Sequence, residues 1–254
     1  MTKPPLVPAI LFFLALAFIP TQARAQNLGE AWMFTPKPGS GAGFQEAFRS
    51  HMEFRQAQGD TWTWTMWEVV IGDNVGDFMV VSGDHAWADF DTYQNSEFAE
   101  IAEPHWAATV GPLVEEMSSV IFQGDTTFSK LPTDPTYAPT MINFITFHII
   151  PGKLMEFNQA LAQMHQALVG ADLPVYYMGS TSVIGGEGDV YSVAILGESW
   201  ADFADPDPNM MQVMATTYGE EEAMAIFTSF GESYHLSESV MLRFREDLSL
   251  IQGM

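Results

Sequence analysis

The chain has no cysteine, and only nine lysine and arginine residues stand against 32 aspartates and glutamates. Without cysteine there is no disulfide framework, no thiol nucleophile and no thiolate metal ligand. The fold must therefore rest on its apolar core. A formal net charge of −23 repels phosphate backbones and anionic lipid headgroups, which argues against nucleic acid and membrane surfaces as partners. Several chemical signatures are also missing. There is no Gly-x-Ser-x-Gly elbow and no glycine-rich phosphate loop. No Asp-x-Asp-x-Asp-Gly segment could cage calcium. The histidines form no His-x-x-x-His pair, so no metal site is expected from local spacing. The apolar run Leu6 to Ile19 is interrupted by Pro8 and is short of the roughly 20 residues that a membrane span needs. With Lys3 before it and Ala23-Arg24-Ala25 after it, residues 1–25 read as a secretory signal peptide. The expected destination is periplasmic or secreted, with no membrane attachment after cleavage.

Aromatic residues are plentiful, with 7 Trp and 19 Phe. So is internal likeness. Trp87-Ala88-Asp89-Phe90 recurs as Trp200-Ala201-Asp202-Phe203, 113 residues on. At the same offset Pro38-Gly39 falls on Pro151-Gly152, Phe44 on Phe157, and Val70-Ile71-Gly72 on Val183-Ile184-Gly185. A constant offset across so many positions indicates a tandem duplication. Residues 26–123 form the first unit, 124–139 a linker rich in Thr, Asp and Pro, and 140–254 the second unit.

The patterning of the first unit predicts strand, helix, strand, strand, helix, strand. Glu30 to Thr35 is extended, with Trp32 and Phe34 on one face. Gly43 to Gln58 is helical, with Phe44, Ala47, Phe48, His51 and Arg55 on one stripe. Thr61 to Ile71 alternates. Trp62, Trp64, Met66, Glu68 and Val70 face one way, and Trp67 and Val69 the other. Asp77 to Ser82 completes a hairpin. A second helical region starts near Trp87, restarts at Pro104 and runs to about Met117, before a strand at Ser118 to Phe122. The second unit repeats the order, from a strand at Ile142 to Ile150 to a last strand at Ser237 to Phe244. Its second helical region resumes with Asp207 as N-cap and Pro208 at the first helical position. This β-α-β-β-α-β order is the ferredoxin-like unit, whose parallel strands are joined by helices covering one face of the sheet.

Tandem units of this order, each with Pro-Gly after its first strand and an aromatic-led second helix, resemble the dimeric α+β barrel superfamily. That group includes antibiotic-biosynthesis-type monooxygenases, EthD-like and NIPSNAP-like proteins and IsdG-type haem-degrading enzymes. The resemblance implies an α+β fold whose two sheets pair into an eight-stranded barrel, either within a monomer or in a homodimer. It also implies a ligand cleft between sheet and helices.

Six residues stand out as site candidates. His51 is polar on an apolar helix stripe. It reads either as a core histidine bonded to a backbone carbonyl or as a ligand-orienting, proton-transferring group. Glu68 shares a strand face with Met66 and Val70, and either reaches solvent or has a raised pKa and a catalytic use. Trp62, Trp64 and Trp67 are ordinary core or the walls of an aromatic-binding cleft. His105 lies in a segment resembling the one where IsdG-type enzymes carry their haem ligand; it is otherwise a helix-start histidine. Two main readings follow. One is an exported small-molecule-binding barrel without cofactor. The other is a cofactor-independent, monooxygenase-like enzyme acting on a small aromatic substrate with His51 and Glu68 as its catalytic groups. A third is haem binding through His105.

Overall fold

A computed structural model describes residues 27–134, 136–186 and 188–252. The expected signal peptide lies outside the described residues. The first run of elements is β1 (Leu28–Pro36), α1 (Gly41–Ala57), β2 (Thr65–Ile71), β3 (Phe78–His85), α2 (Trp87–Gln94), α3 (Glu97–Thr109) and β4 (Val114–Lys130). The second is β5 (Met141–Ile149), α4 (Leu154–Gly170), β6 (Tyr176–Ile184), β7 (Val190–Gly197), α5 (Met210–Tyr218), α6 (Glu220–Gly231) and β8 (Tyr234–Phe244). The element order is thus β-α-β-β-α-β twice, with each second helical region split in two.

The eight strands close into one barrel within the single chain, in the order β1-β3-β2-β8-β5-β7-β6-β4. Each run contributes four neighbouring strands. The runs are stitched together where β2 pairs with β8 and β4 with β6. Every neighbouring pair is antiparallel. The helices do join parallel strands, as expected, but those strands never touch. The third strand of each run folds back as a hairpin and inserts between the first and the second.

Strand alternation divides the core in two. Side chains turned away from the helices, among them Trp67, Val69, Met79, Ile142, Leu196 and Leu242, fill the barrel interior. The opposite faces meet the helices. On β1 and β3 the helix-facing residues include Phe34, Phe78 and Val80, which pack against Phe44 and Phe48 of α1. Both sheet faces are therefore apolar, as a sheet covered on both sides requires. Phe44, Phe48 and Phe78 are at most 1% exposed, and burial of each side chain is worth about 1.5–3 kcal/mol. The Pro-Gly pair after β1 and β5 turns the chain into its helix. Gly39 and Gly152 adopt φ +80° and +87°, a region in which glycine carries no steric cost.

The structure corrects several expected boundaries. β4 does not end at Phe122 but runs to Lys130 and takes up the start of the expected linker. The segment is polar, and the pairing that holds it lies on a partner distant in sequence. Asp125 stands opposite Gly179 and Lys130 opposite Tyr177, with a register shift between them. The second helical region of the first run breaks at Asn95-Ser96 rather than at Pro104. The Ser96 side chain accepts from the Ala99 N–H and caps α3, which carries Pro104 inside it. α3 ends at Thr109, so Met117 belongs to β4. In the second run the N-cap is Asn209, not Asp207. Asn209 and Gln212 form a reciprocal capping box that fixes the helix start at Met210. β2 begins only at Thr65; Trp64 precedes it in an isolated bridge to Leu250.

Candidate functional site

A cavity of about 570 Å³ lies between the helix-facing side of the first run's sheet and the helices α1, α2 and α3. Periodicity explains its lining. Glu30, Trp32 and Phe34 recur at every second residue of β1, and Phe48, His51, Met52 and Arg55 fall on one stripe of α1. Trp62 and Trp64 close one wall. Phe90 and Tyr93 of α2 and Phe98, Ala102 and Trp106 of α3 close the other. Volume and composition suit a small organic ligand, for which pockets of roughly 300–1,000 Å³ with apolar walls and a few polar groups are usual.

One polar cluster sets the wall. The Asp60 side chain is fully buried beside the Arg55 guanidinium at 2.7 Å. It also accepts from the Trp62 backbone N–H at 3.0 Å, the Trp64 indole N–H at 3.1 Å and the Tyr93 hydroxyl at 3.2 Å. Arg55 in turn donates to the Tyr93 oxygen. The guanidinium lies 4.7 Å from the Trp64 ring centroid and 5.2 Å from that of Phe98. Trp62 stacks on His85 at 3.8 Å and on Tyr93 at 4.0 Å. Burial, opposed in part by Arg55, pushes the Tyr93 phenol pKa well above its usual value.

His51 is 1% exposed, and its Nδ1 lies 2.9 Å from Nδ1 of His105. One of the two nitrogens must donate and the other accept, so the pair holds a single proton between them. Burial, with Arg55 and His105 adding like charge, lowers the His51 pKa to about 3. The ring is neutral at ordinary pH. No fully buried side-chain nitrogen or oxygen lacks a partner among the described residues. Nε2 of His51 has no hydrogen-bond partner there, so it keeps access to the cavity that the ring lines.

Glu30 is the second ionisable group of note. It lines the cavity from β1. Burial raises its pKa, against the lowering effects of Trp32 and Arg55. The sequence signal for Glu30 is its parity, since it shares a face of β1 with Trp32 and Phe34.

The expected site residues divide sharply. His51, Trp62 and Trp64 line the cavity. His105 stands behind His51, stacked on Phe54 at 4.0 Å and 8°, and is not part of the lining. Trp67 faces the barrel interior beside Phe244, because its strand parity is opposite to that of Trp62 and Trp64. Glu68 also lies outside the cavity. It is held at 2.9 Å by Arg245, which reaches on to Gln45 of α1. A shared cleft of His51 and Glu68 is therefore not formed. Haem ligation by His105 from within the cavity does not fit this placement, since the ring is not part of the lining. Among the described residues no cluster of three or more His, Asp or Glu side chains could hold a metal, and no helix is long and apolar enough to cross a membrane.

In the second run aromatic side chains pack together in the matching place. Phe147, 113 residues after Phe34, packs on Phe157 and Phe230 with centroids 5.7 and 5.3 Å away. Met164 stands where the first run has His51 and is buried with Ala160, Val213, Met214 and Ile226.

Fold and site together define a ferredoxin-like α+β barrel, closed within one chain, with a hollow between the first run's sheet and its helices. Solved structures share this fold. A candidate monooxygenase from Lactobacillus acidophilus NCFM superposes with a TM-score of 0.54 at 9% identity, covering 90% of this chain and 97% of that one. An anthrone oxidase-like protein gives 0.54 at 13% identity, covering 90% and 95%. A chlorite dismutase mutant from Candidatus Nitrospira defluvii gives 0.51 at 9% identity, covering 86% and 92%. No protein-family model and no curated protein matches the sequence. At these identities the likeness is one of fold.

Proposed function

We propose that the protein is exported, binds a small aromatic molecule in the cavity of its first half, and oxidises it with molecular oxygen in a monooxygenase-like reaction that needs no cofactor. The observation that carries this reading is the cavity itself. It is a hollow of about 570 Å³ walled by tryptophan and phenylalanine, with His51, Glu30 and Glu103 among its ionisable groups and Arg55 held in its wall by Asp60. The fold shared with a candidate monooxygenase and an anthrone oxidase-like protein supports the same reading. In this account the second half arose by duplication and completes the barrel, while its own cleft is filled.

A substrate of the anthrone type carries a ring CH₂ between aromatic rings. Glu30 takes one proton from that carbon, and the resulting carbanion passes its electrons to O₂. The CH₂ becomes C=O; the second oxygen atom leaves as water with both hydrogens. His51 supplies the polar contact to the substrate, and the aromatic walls exclude water from the carbanion. Oxygen uptake with anthrone, measured without added metal, tests the reading. One O₂ consumed per anthrone supports it, and binding of anthrone without uptake contradicts the catalytic part. A binding protein without chemistry is the second reading. It is favoured by one observation: Glu68, the carboxylate expected beside His51, is tied to Arg245 outside the cavity.

A further inference from the structure

The contact between His51 and His105 has a direction, and a third residue decides it. Thr109 lies one helical turn beyond His105 on α3. Its hydroxyl donates to the His105 backbone carbonyl at 2.7 Å. The same oxygen lies 3.4 Å from His105 Nδ1. A threonine hydroxyl has one proton, and that proton is used on the carbonyl, so towards Nδ1 the oxygen can only accept. Taken as a hydrogen bond, that contact places the His105 proton on Nδ1, shared between Thr109 and His51. His51 Nδ1, 2.9 Å away, receives that bond through its lone pair. A neutral His51 must then carry its own proton on Nε2, the nitrogen open to the cavity. Stacking of His105 on Phe54 at 4.0 Å fixes the plane of the donating ring.

Building on the reading of the cavity as a small-molecule site, we propose that His105 and Thr109 are positioning residues which hold His51 as its Nε2–H tautomer, so that the cavity offers a hydrogen-bond donor and selects aromatic ligands bearing a carbonyl or phenolic oxygen. In this arrangement His51 is not the proton acceptor of the site. It faces the ligand oxygen, where negative charge gathers if a neighbouring C–H is ionised. That leaves the basic role to a carboxylate of the lining, where Glu30 is the one set among the aromatic side chains of β1.

Side-chain ¹⁵N NMR of histidine-labelled protein reads the tautomer directly. The expected result is a proton on Nε2 and a bare Nδ1 for His51 at pH 7. Thr109→Val should give a mixture of tautomers, and Thr109→Ser should restore the single one. A proton on His51 Nδ1 in the wild type, or no response to Thr109→Val, overturns the assignment. Ligand selection is read with 1-naphthol and naphthalene by tryptophan fluorescence. The preference for 1-naphthol should fall by about 3–10-fold in His51→Met, the worth of one neutral hydrogen bond. An unchanged preference overturns this inference while leaving the cavity a binding site. If neither probe binds the wild type, the reading of the cavity as an aromatic-ligand site fails, and the ligand half of the inference with it.

Discussion

The Asp60 carboxylate lies 2.7 Å from the Arg55 guanidinium, with no exposed side-chain surface of its own. Arg55 comes from the apolar stripe of α1, and Asp60 from the turn that ends it. Their pairing draws in Trp62, Trp64 and Tyr93 and so builds one wall of the cavity. Asp60→Ala would leave the guanidinium buried without its counter-charge, a change that costs about 3–5 kcal/mol. Urea unfolding should show that loss, and the variant should also bind 1-naphthol more weakly. A stability change below about 1 kcal/mol would mean that solvent, not Asp60, balances Arg55.

His51 links stability to pH. Its folded pKa of about 3 lies below the ordinary value of 6.5, so between these values the unfolded chain binds a proton that the folded chain refuses. Stability from this group is complete above about pH 6.5 and falls as the pH drops towards 3, by at most about 1.4 kcal/mol per unit. Burial also lowers the pKa values of His85 and His165, which add to the acid-side loss. His51→Met should remove one proton's share of the slope between pH 6.5 and 4.5 in urea unfolding. Identical slopes in the two proteins would show that His51 titrates normally.

Two glutamates should behave differently. Glu30 faces the cavity, and Glu68 faces Arg245. Glu30→Gln should retain 1-naphthol binding and lose at least about 100-fold in the rate of anthrone oxidation, the scale of a missing general base. Glu68→Gln should oxidise anthrone at the wild-type rate and lose at most about 1 kcal/mol in stability. The reverse pattern would move the site to the Arg245 end of the sheet.

Haem offers a clean negative. His105 does not line the cavity, so added haem should show no sharp Soret band that depends on this ring. A Soret band abolished by His105→Ala would overturn the placement of that ring.

Much of this architecture can be read from the chain. The offset of 113 residues between the two Trp-Ala-Asp-Phe stretches anticipates two runs of the same element order. The alternation in Thr61 to Ile71 already separates Trp67 from Trp62 and Trp64, and the structure puts those residues in two different cores. Partners distant in sequence were hidden. Nothing near Glu68 announces Arg245, which lies 177 residues away. Nothing in Asp125 to Lys130 announces its register on β6, since the segment is too polar to show strand periodicity. Arg55 on an apolar stripe and Glu30 in phase with Trp32 and Phe34 were the local signals of a polar site. Each is a charge at a position where the pattern requires an apolar residue.

The most direct test of the account is oxygen uptake with anthrone, run in parallel on the wild type and on Ala99→Trp. Ala99 lines the cavity from α3, so a tryptophan there fills part of the hollow while His51 and Glu30 themselves stay unchanged. The account predicts uptake by the wild type without added metal, and loss of at least about 10-fold in the variant while its unfolding free energy stays within about 2 kcal/mol of the wild type, as an overpacking change on a cavity wall allows. No uptake by the wild type, or full uptake by a folded Ala99→Trp, would contradict the assignment of the chemistry to this cavity.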